Sequence, residues 1–217
     1  MGVSAAQGSA GLKPGVCTST TRPSNPFEGQ MIYETDTDLT YIYGGTAWQQ
    51  VSGGTAVGNS GLVYVTEATI GSAVSSVTVS SAFSSTYDNY RIKITGMTGS
   101  AAADTSFQFG GITTSVYAYS GFYQAIGVGT STTFGGTATT MPIGTMAATL
   151  NTQINIEISG ANLAVAKYFE IATTSNNIRV NQGGQCNSAV QATAFTITPA
   201  SGTLTGGTIT VYGYRKA

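Results

Sequence analysis

At 217 residues the chain is long enough for one sizeable domain, or for a small module followed by a domain of about 150 residues. Only 8% of its residues are charged, against about 25% in an average soluble protein, and the net charge is −1, while Gly, Ser and Thr supply about two residues in five. An apolar share of 41% excludes a disordered chain, and the absence of His removes the commonest general base, the Ser-His and Cys-His nucleophiles and the commonest metal ligand.

Residues 1–21 are rich in Gly, Ala, Ser and Thr and carry few apolar side chains beyond Leu12 and Val16, so they are expected to form an extended N-terminal arm. The start, Met1-Gly2-Val3-Ser4-Ala5-Ala6, has neither a charged-then-apolar export pattern nor the Ser or Thr of a myristoylation site. No apolar run approaches the roughly 20 residues of a membrane helix. The expectation is a soluble chain made in the cytoplasm, without export or membrane partner.

Residues 22–51 read as a separate module. Arg22-Pro23-Ser24-Asn25-Pro26 opens it with two prolines, and four of the nine acidic residues fall between Glu28 and Asp38. Gln30-Met31-Ile32-Tyr33-Glu34 and Leu39-Thr40-Tyr41-Ile42-Tyr43 predict two strands around Thr35-Asp36-Thr37-Asp38, whose side chains can bond the backbone of a turn. Ala47-Trp48-Gln49-Gln50-Val51 follows the Gly44-Gly45 turn as a third segment, giving a β-hairpin or three-stranded clasp. Residues 52–61 have the composition of a flexible linker, and the domain boundary is expected there.

From 62 to 217 the pattern changes to short strands with period-two alternation. Arg91-Ile92-Lys93-Ile94-Thr95 and Gln153-Ile154-Asn155-Ile156-Glu157-Ile158 put isoleucines on one face and polar groups on the other. Similar runs at Leu62–Thr66, Val77–Ser80, Ser106–Phe109, Lys167–Ala172, Asn177–Val180, Ala194–Thr198 and Thr208–Tyr214 bring the count to nine. The fold class predicted is all-β: the clasp plus an antiparallel, jelly-roll-like β-sandwich. Ala161–Phe169 also suits a short helix before or instead of its strand.

The segment from Arg22 to Thr37, Arg-Pro-Ser-Asn-Pro-Phe-Glu-Gly-Gln-Met-Ile-Tyr-Glu-Thr-Asp-Thr, followed by Tyr41, Tyr43-Gly44-Gly45 and Trp48, resembles a motif recurring in tailed-bacteriophage virion proteins. Its general form is R-P-x-x-P-x-x-G-x-x-x-Y-x-T-D-T with a Y-x-G-x-x-W ending. Phe83–Ile92 and the ending Gly207–Gly213 are similar to the C-terminal β-sandwich heads of phage fibre-like proteins. The resemblance implies a structural, non-enzymatic protein of the virion's outer surface. A capsid decoration, cement or short head-fibre role is expected, with the major capsid protein or other virion proteins as partners. Arg22, Pro23, Pro26, Gly29, Tyr33, Thr35, Asp36, Tyr43 and Trp48 would build the anchoring module. Two alternatives stay open: a tail fibre or receptor-binding protein recognising a host surface glycan, and a carbohydrate-binding module. Low charge together with the fibre-like resemblance predicts a homotrimer.

Candidate chemistry is sparse. The eight basic residues are scattered, so no stripe suits a phosphate backbone and nucleic acid is not an expected partner. Tyr117, Tyr119, Phe122 and Tyr123 stand in a Gly- and Ser-rich stretch where rings can stack on sugars, meet a neighbouring subunit or simply pack. Trp48 is expected to close the small core of the clasp. Glu157 with Glu170, or Asp88 with Asp104, are formal carboxylate pairs for glycoside hydrolysis, although Glu157 falls on a polar strand face. Glu34, Asp36 and Asp38 are clustered oxygen donors but lack the spacing of a calcium loop, and Cys17 and Cys186 have no neighbouring Cys or His. No cofactor or metal is expected.

Overall fold

The computed structural model describes residues 14–52, 61–146, 148, 151–175 and 177–216. Residues 1–13 of the expected arm and 53–60 of the expected linker lie outside the described residues. The chain divides into two units, 1–58 and 59–217, and the division falls inside the segment read as a linker.

Unit 1 is a four-stranded sheet. β1 (Gly15–Cys17) runs parallel to β2 (Met31–Glu34), β2 pairs antiparallel with β3 (Leu39–Tyr43), and β3 with β4 (Trp48–Ser52). The turn between β2 and β3 falls on Thr35–Asp38, as the sequence predicts, with Asp38 in the left-handed region at φ 55°. Two expectations are corrected here. The clasp has four strands rather than three, and the arm does not end at residue 21 as a separate element, because 15–17 supply β1. An open edge on β2 presents unpaired N–H and C=O groups, and even a side-chain-poor extended segment can satisfy them.

Unit 2 carries thirteen strands, and no helix occurs among the described residues. Its large sheet has the order β10 (Ser131–Ala138), β9 (Tyr117–Ala125), β14 (Ile178–Cys186), β13 (Lys167–Ser175), β12 (Thr152–Ser159), β7 (Asn89–Gly99), β17 (Thr208–Tyr214), β5 (Leu62–Thr69), with β16 (Leu204–Thr205) also paired to β7. The second sheet has the order β11 (Met141–Met146), β8 (Ala103–Phe109), β15 (Phe195–Pro199), β6 (Val77–Val79). All the pairings in this unit are antiparallel, so the two sheets make a sandwich-like arrangement.

The core follows from the alternation. Ile92 and Ile94 of β7, Ile154, Ile156 and Ile158 of β12, and Ile209 and Val211 of β17 are buried, and they share one cluster with Phe107 and Phe109 of β8 and Phe195 and Ile197 of β15. Aromatic rings join the sheets: Phe107 lies 5.5 Å from Phe169 of β13 in an edge-on pair and 4.9 Å from Phe195 in a stacked one. Each fully buried side chain of this size stabilises the fold by about 1.5–3 kcal/mol relative to exposure. Glu157 points away from this core, where its place on the polar face predicts it.

The helix allowed at Ala161–Phe169 does not form. Gly160 takes a positive φ of 77°, a single turn closes from Leu163 N–H to the Gly160 carbonyl, and Lys167 then captures the carbonyls of Leu163 and Val165. Those acceptors are thereby withdrawn from any continuing helical ladder.

Candidate functional site

In unit 1 the motif residues are the frame of the module. Arg22 donates through Nε to Oε1 of Glu34, whose side chain has no solvent exposure, and its guanidinium lies 4.4 Å over the Tyr41 ring. Thr37 donates its hydroxyl to the other Glu34 oxygen at 2.9 Å. The Arg22 guanidinium, through this hydrogen bond above all, holds the Glu34 carboxyl below the usual glutamate range. Glu34 and Ile32 are the buried residues of β2, so the interior of this small sheet is half polar and depends on the ion pair.

Thr35 and Asp36 hold the arm in place. The Thr35 N–H donates to the Cys17 carbonyl at 3.0 Å, and Asp36 accepts from the Ser19 N–H at 2.9 Å and from the Ser19 hydroxyl at 2.6 Å. Those bonds keep the Asp36 carboxyl low, the Ser19 hydroxyl contributing most. Tyr33 donates its hydroxyl to Asp38 at 2.6 Å, which pushes the phenol up. Gly29 turns the chain into β2 at φ 87°, with its N–H on the Tyr43 carbonyl at 2.8 Å. Pro23 and Pro26, both half-buried, bracket the exposed Ser24 and Asn25 on the approach to that turn. Each of the three carboxylates considered for a cation thus has its own protein donor, and no cluster of three metal-ligating residues exists among the described residues.

Trp48 is placed differently from the sequence expectation. It is half-buried, on the edge strand β4, with its ring 5.3 Å from Tyr43, so it covers one end of the sheet rather than closing the interior. The interior position is taken by Ile32 and Glu34, and Glu34 has no apolar signal by which a sequence reading could have placed it inside. Val16, Phe27 and Met31 are left exposed at 59%, 69% and 44%. The described part of unit 1 thus shows large apolar side chains to solvent while its buried carboxylate is satisfied internally.

In unit 2 the aromatic stretch lies on β9, and alternation splits it. Tyr117 is fully buried, its hydroxyl oxygen accepting from the Phe109 N–H at 2.8 Å, and desolvation pushes its phenol well up. It is a core residue and not a contact residue, because its position faces the second sheet. Tyr119 and Tyr123 follow on the same face nearer the open end of the sheet, half-buried and exposed, while Phe122 points to the opposite face.

The remaining candidates are separated or occupied. Glu157 and Glu170 stand directly opposite each other on β12 and β13, but Glu157 accepts from Arg91 Nε and, at 2.8 Å, from the Tyr214 hydroxyl. Asp88 immediately precedes β7 of the large sheet, whereas Asp104 lies on β8 of the second sheet; Asp88 pairs with Lys216 at 2.8 Å and Asp104 accepts from Thr145. Cys17 and Cys186 are both free. One residue escaped sequence reading: Lys167, fully buried, donates through Nζ to the carbonyls of Leu163, Val165 and Ser188 at 3.0, 2.7 and 2.7 Å. Burial pushes its ammonium down. Its position at the start of an alternating strand was the available signal, since the same face carries Phe169 and Ile171.

The fold and site define a two-unit, all-β protein whose N-terminal motif builds a small self-contained sheet. No protein-family model, curated protein or solved structure matches the chain.

Proposed function

We propose that this chain is a structural component of the outer surface of a tailed-bacteriophage particle, with unit 1 as the attachment module and unit 2 as the displayed domain. The preferred place is the head, as a decoration, cement or short fibre protein docked on the major capsid protein, and the assembled form is a homotrimer.

The observation that carries this reading is the organisation of unit 1. Residues of the phage-like motif are satisfied within unit 1: Arg22 pairs with Glu34, while Thr35 and Asp36 bind Cys17 and Ser19 of the segment just before the motif. They specify a compact module that can recur on different proteins, and Val16, Phe27 and Met31 remain outside it for a partner. A surface with few charges also has little self-repulsion to oppose assembly.

The test is made on tailed particles purified from the source of the gene, by mass spectrometry of the particle proteins and by electron microscopy with antibodies against unit 2. The expected result is stoichiometric peptides of this chain and label over the head. Its absence from washed particles overturns the virion reading, and label confined to the tail overturns the head assignment.

A further inference from the structure

We propose that unit 2 carries a binding cleft for a neutral pyranose, between β11, the edge strand of the second sheet, and the β10–β9–β14 end of the large sheet. This inference concerns the sandwich alone and goes beyond the proposed attachment of unit 1.

The cleft has a volume of about 430 Å³, inside the usual range for small-molecule sites of about 300–1,000 Å³. Its apolar wall comes from alternation on neighbouring strands. Tyr119 and Tyr123 point inward from β9, and Phe134 does so from β10, with the Tyr119 and Phe134 rings 6.4 Å apart and inclined by 49°. Gly136 stands opposite Tyr119 in register, and the Tyr119 ring lies along β10 with its hydroxyl oxygen 3.4 Å from where a Cβ of residue 136 would sit. Three aromatic faces, two of them half-buried and one exposed at 45%, are thereby held ready at a concave site.

The polar wall is made by Asp104, Thr145 and Gln182. Asp104 receives the Thr145 hydroxyl on Oδ1 at 2.7 Å, and its other oxygen has no protein donor among the described residues. Gln182 is only 7% exposed; its Nε2 donates to the Pro142 carbonyl, while its buried Oε1 meets no donor among the described residues.

These groups together select the ligand. Among the described residues no Lys or Arg lines the cleft, so none of them matches a phosphate, sulfate or carboxylate. The exposed carboxylate of Asp104 calls for a hydroxyl donor, and the rings call for an apolar face. A neutral pyranose presents both: equatorial hydroxyls at its edge and a C–H face for stacking.

The experiment applies the full-length chain to an array of neutral hexose and N-acetylhexosamine oligosaccharides beside sialylated and sulfated ones. The strongest neutral binder is then titrated calorimetrically against Tyr123→Ala, Asp104→Asn and, as an opposite-face control, Phe122→Ala. Asp104→Asn keeps the shape of an exposed side chain and guards against loss of fold, which circular dichroism checks for every variant. The expected result is binding of a neutral glycan that weakens about tenfold or more in Tyr123→Ala and Asp104→Asn and is unchanged in Phe122→Ala. Binding only to anionic glycans, binding equal in all variants, or no glycan bound at all overturns the proposal. So does loss of self-association in Tyr123→Ala without glycan binding, which would assign the cleft to a second copy of the chain.

Discussion

Arg22 and Glu34, twelve residues apart, form the ion pair on which unit 1 is organised: a fully buried carboxylate is held by a guanidinium that itself lies against Tyr41. Removing one partner leaves an uncompensated charge inside a very small sheet. Arg22→Gln is expected to unfold unit 1 while unit 2 keeps its structure. Trp48, the single Trp of the chain, reports on unit 1 alone, so its emission should shift to the exposed value with the far-ultraviolet β signal largely retained.

The same pair gives unit 1 an acid limit. The Glu34 carboxyl is depressed in the folded state, so its contribution is fully present above the unfolded glutamate value of about 4.3 and is lost as the pH falls through the lower folded value. Asp36, also depressed, acts in the same direction. Trp48 fluorescence followed from pH 7 downward should show a transition below the ordinary carboxylate range. In Arg22→Gln, with unit 1 unfolded at pH 7, lowering the pH should instead move Trp48 emission back towards the folded value, because protonation removes the unpaired charge that Glu34 would otherwise bury.

Trp48→Ala should have a modest effect confined to unit 1. The ring is half-buried and its defined partner is Tyr43, so the loss beyond buried area is about 0.5–1.5 kcal/mol. Hydrogen exchange read by mass spectrometry should quicken in peptides covering residues 31–43 and stay unchanged in those covering β7 and β12. Global acceleration would contradict the independence of the units.

Phe107→Ala should be among the most damaging changes in unit 2. Phe107 is fully buried and contacts Phe109, Phe169 and Phe195 across both sheets, and truncation of such a ring costs about 3–5 kcal/mol. Urea denaturation followed by circular dichroism should show a correspondingly lower midpoint, with Trp48 emission in native buffer unaltered.

Lys167→Met tests the buried ammonium. The substitution preserves bulk but leaves the Leu163, Val165 and Ser188 carbonyls without their donor, at a cost of about 1–3 kcal/mol for a buried orphaned acceptor. The expected outcome is a lowered urea midpoint with exchange quickened first in peptides covering 160–166 and 187–192. An unchanged midpoint would show that the loop carbonyls are hydrated instead.

Much of the fold was legible because strand alternation is local. Ile92 and Ile94, and Ile154, Ile156 and Ile158, declare a buried face by their spacing alone, and Thr35–Asp38 declares a turn by its side chains. All nine strand runs read from unit 2 correspond to strands. β9, β10 and β11 were missed because Gly121, Gly135, Gly136 and Gly144 interrupt their apolar pattern, and pairing with neighbours supplies what propensity does not. β1 was missed for the same reason, since three residues with little side chain become a strand only where β2 offers an edge.

By itself, then, the sequence determined the all-β class, the place of division near residues 52–61 and the hairpin of the N-terminal module, because composition, period and turn chemistry act over a few positions. Tertiary structure alone decided which faces those strands present to one another. It put Tyr117 in the core and Tyr123 at the rim of a cleft although they stand only six positions apart, buried Glu34 against Arg22, and placed Asp104 and Gln182 on one wall although they stand 78 positions apart. The physical reason is that sheet order and the stacking of one sheet on another are set by long-range pairing and by the twist of whole sheets, which no local run of residues encodes.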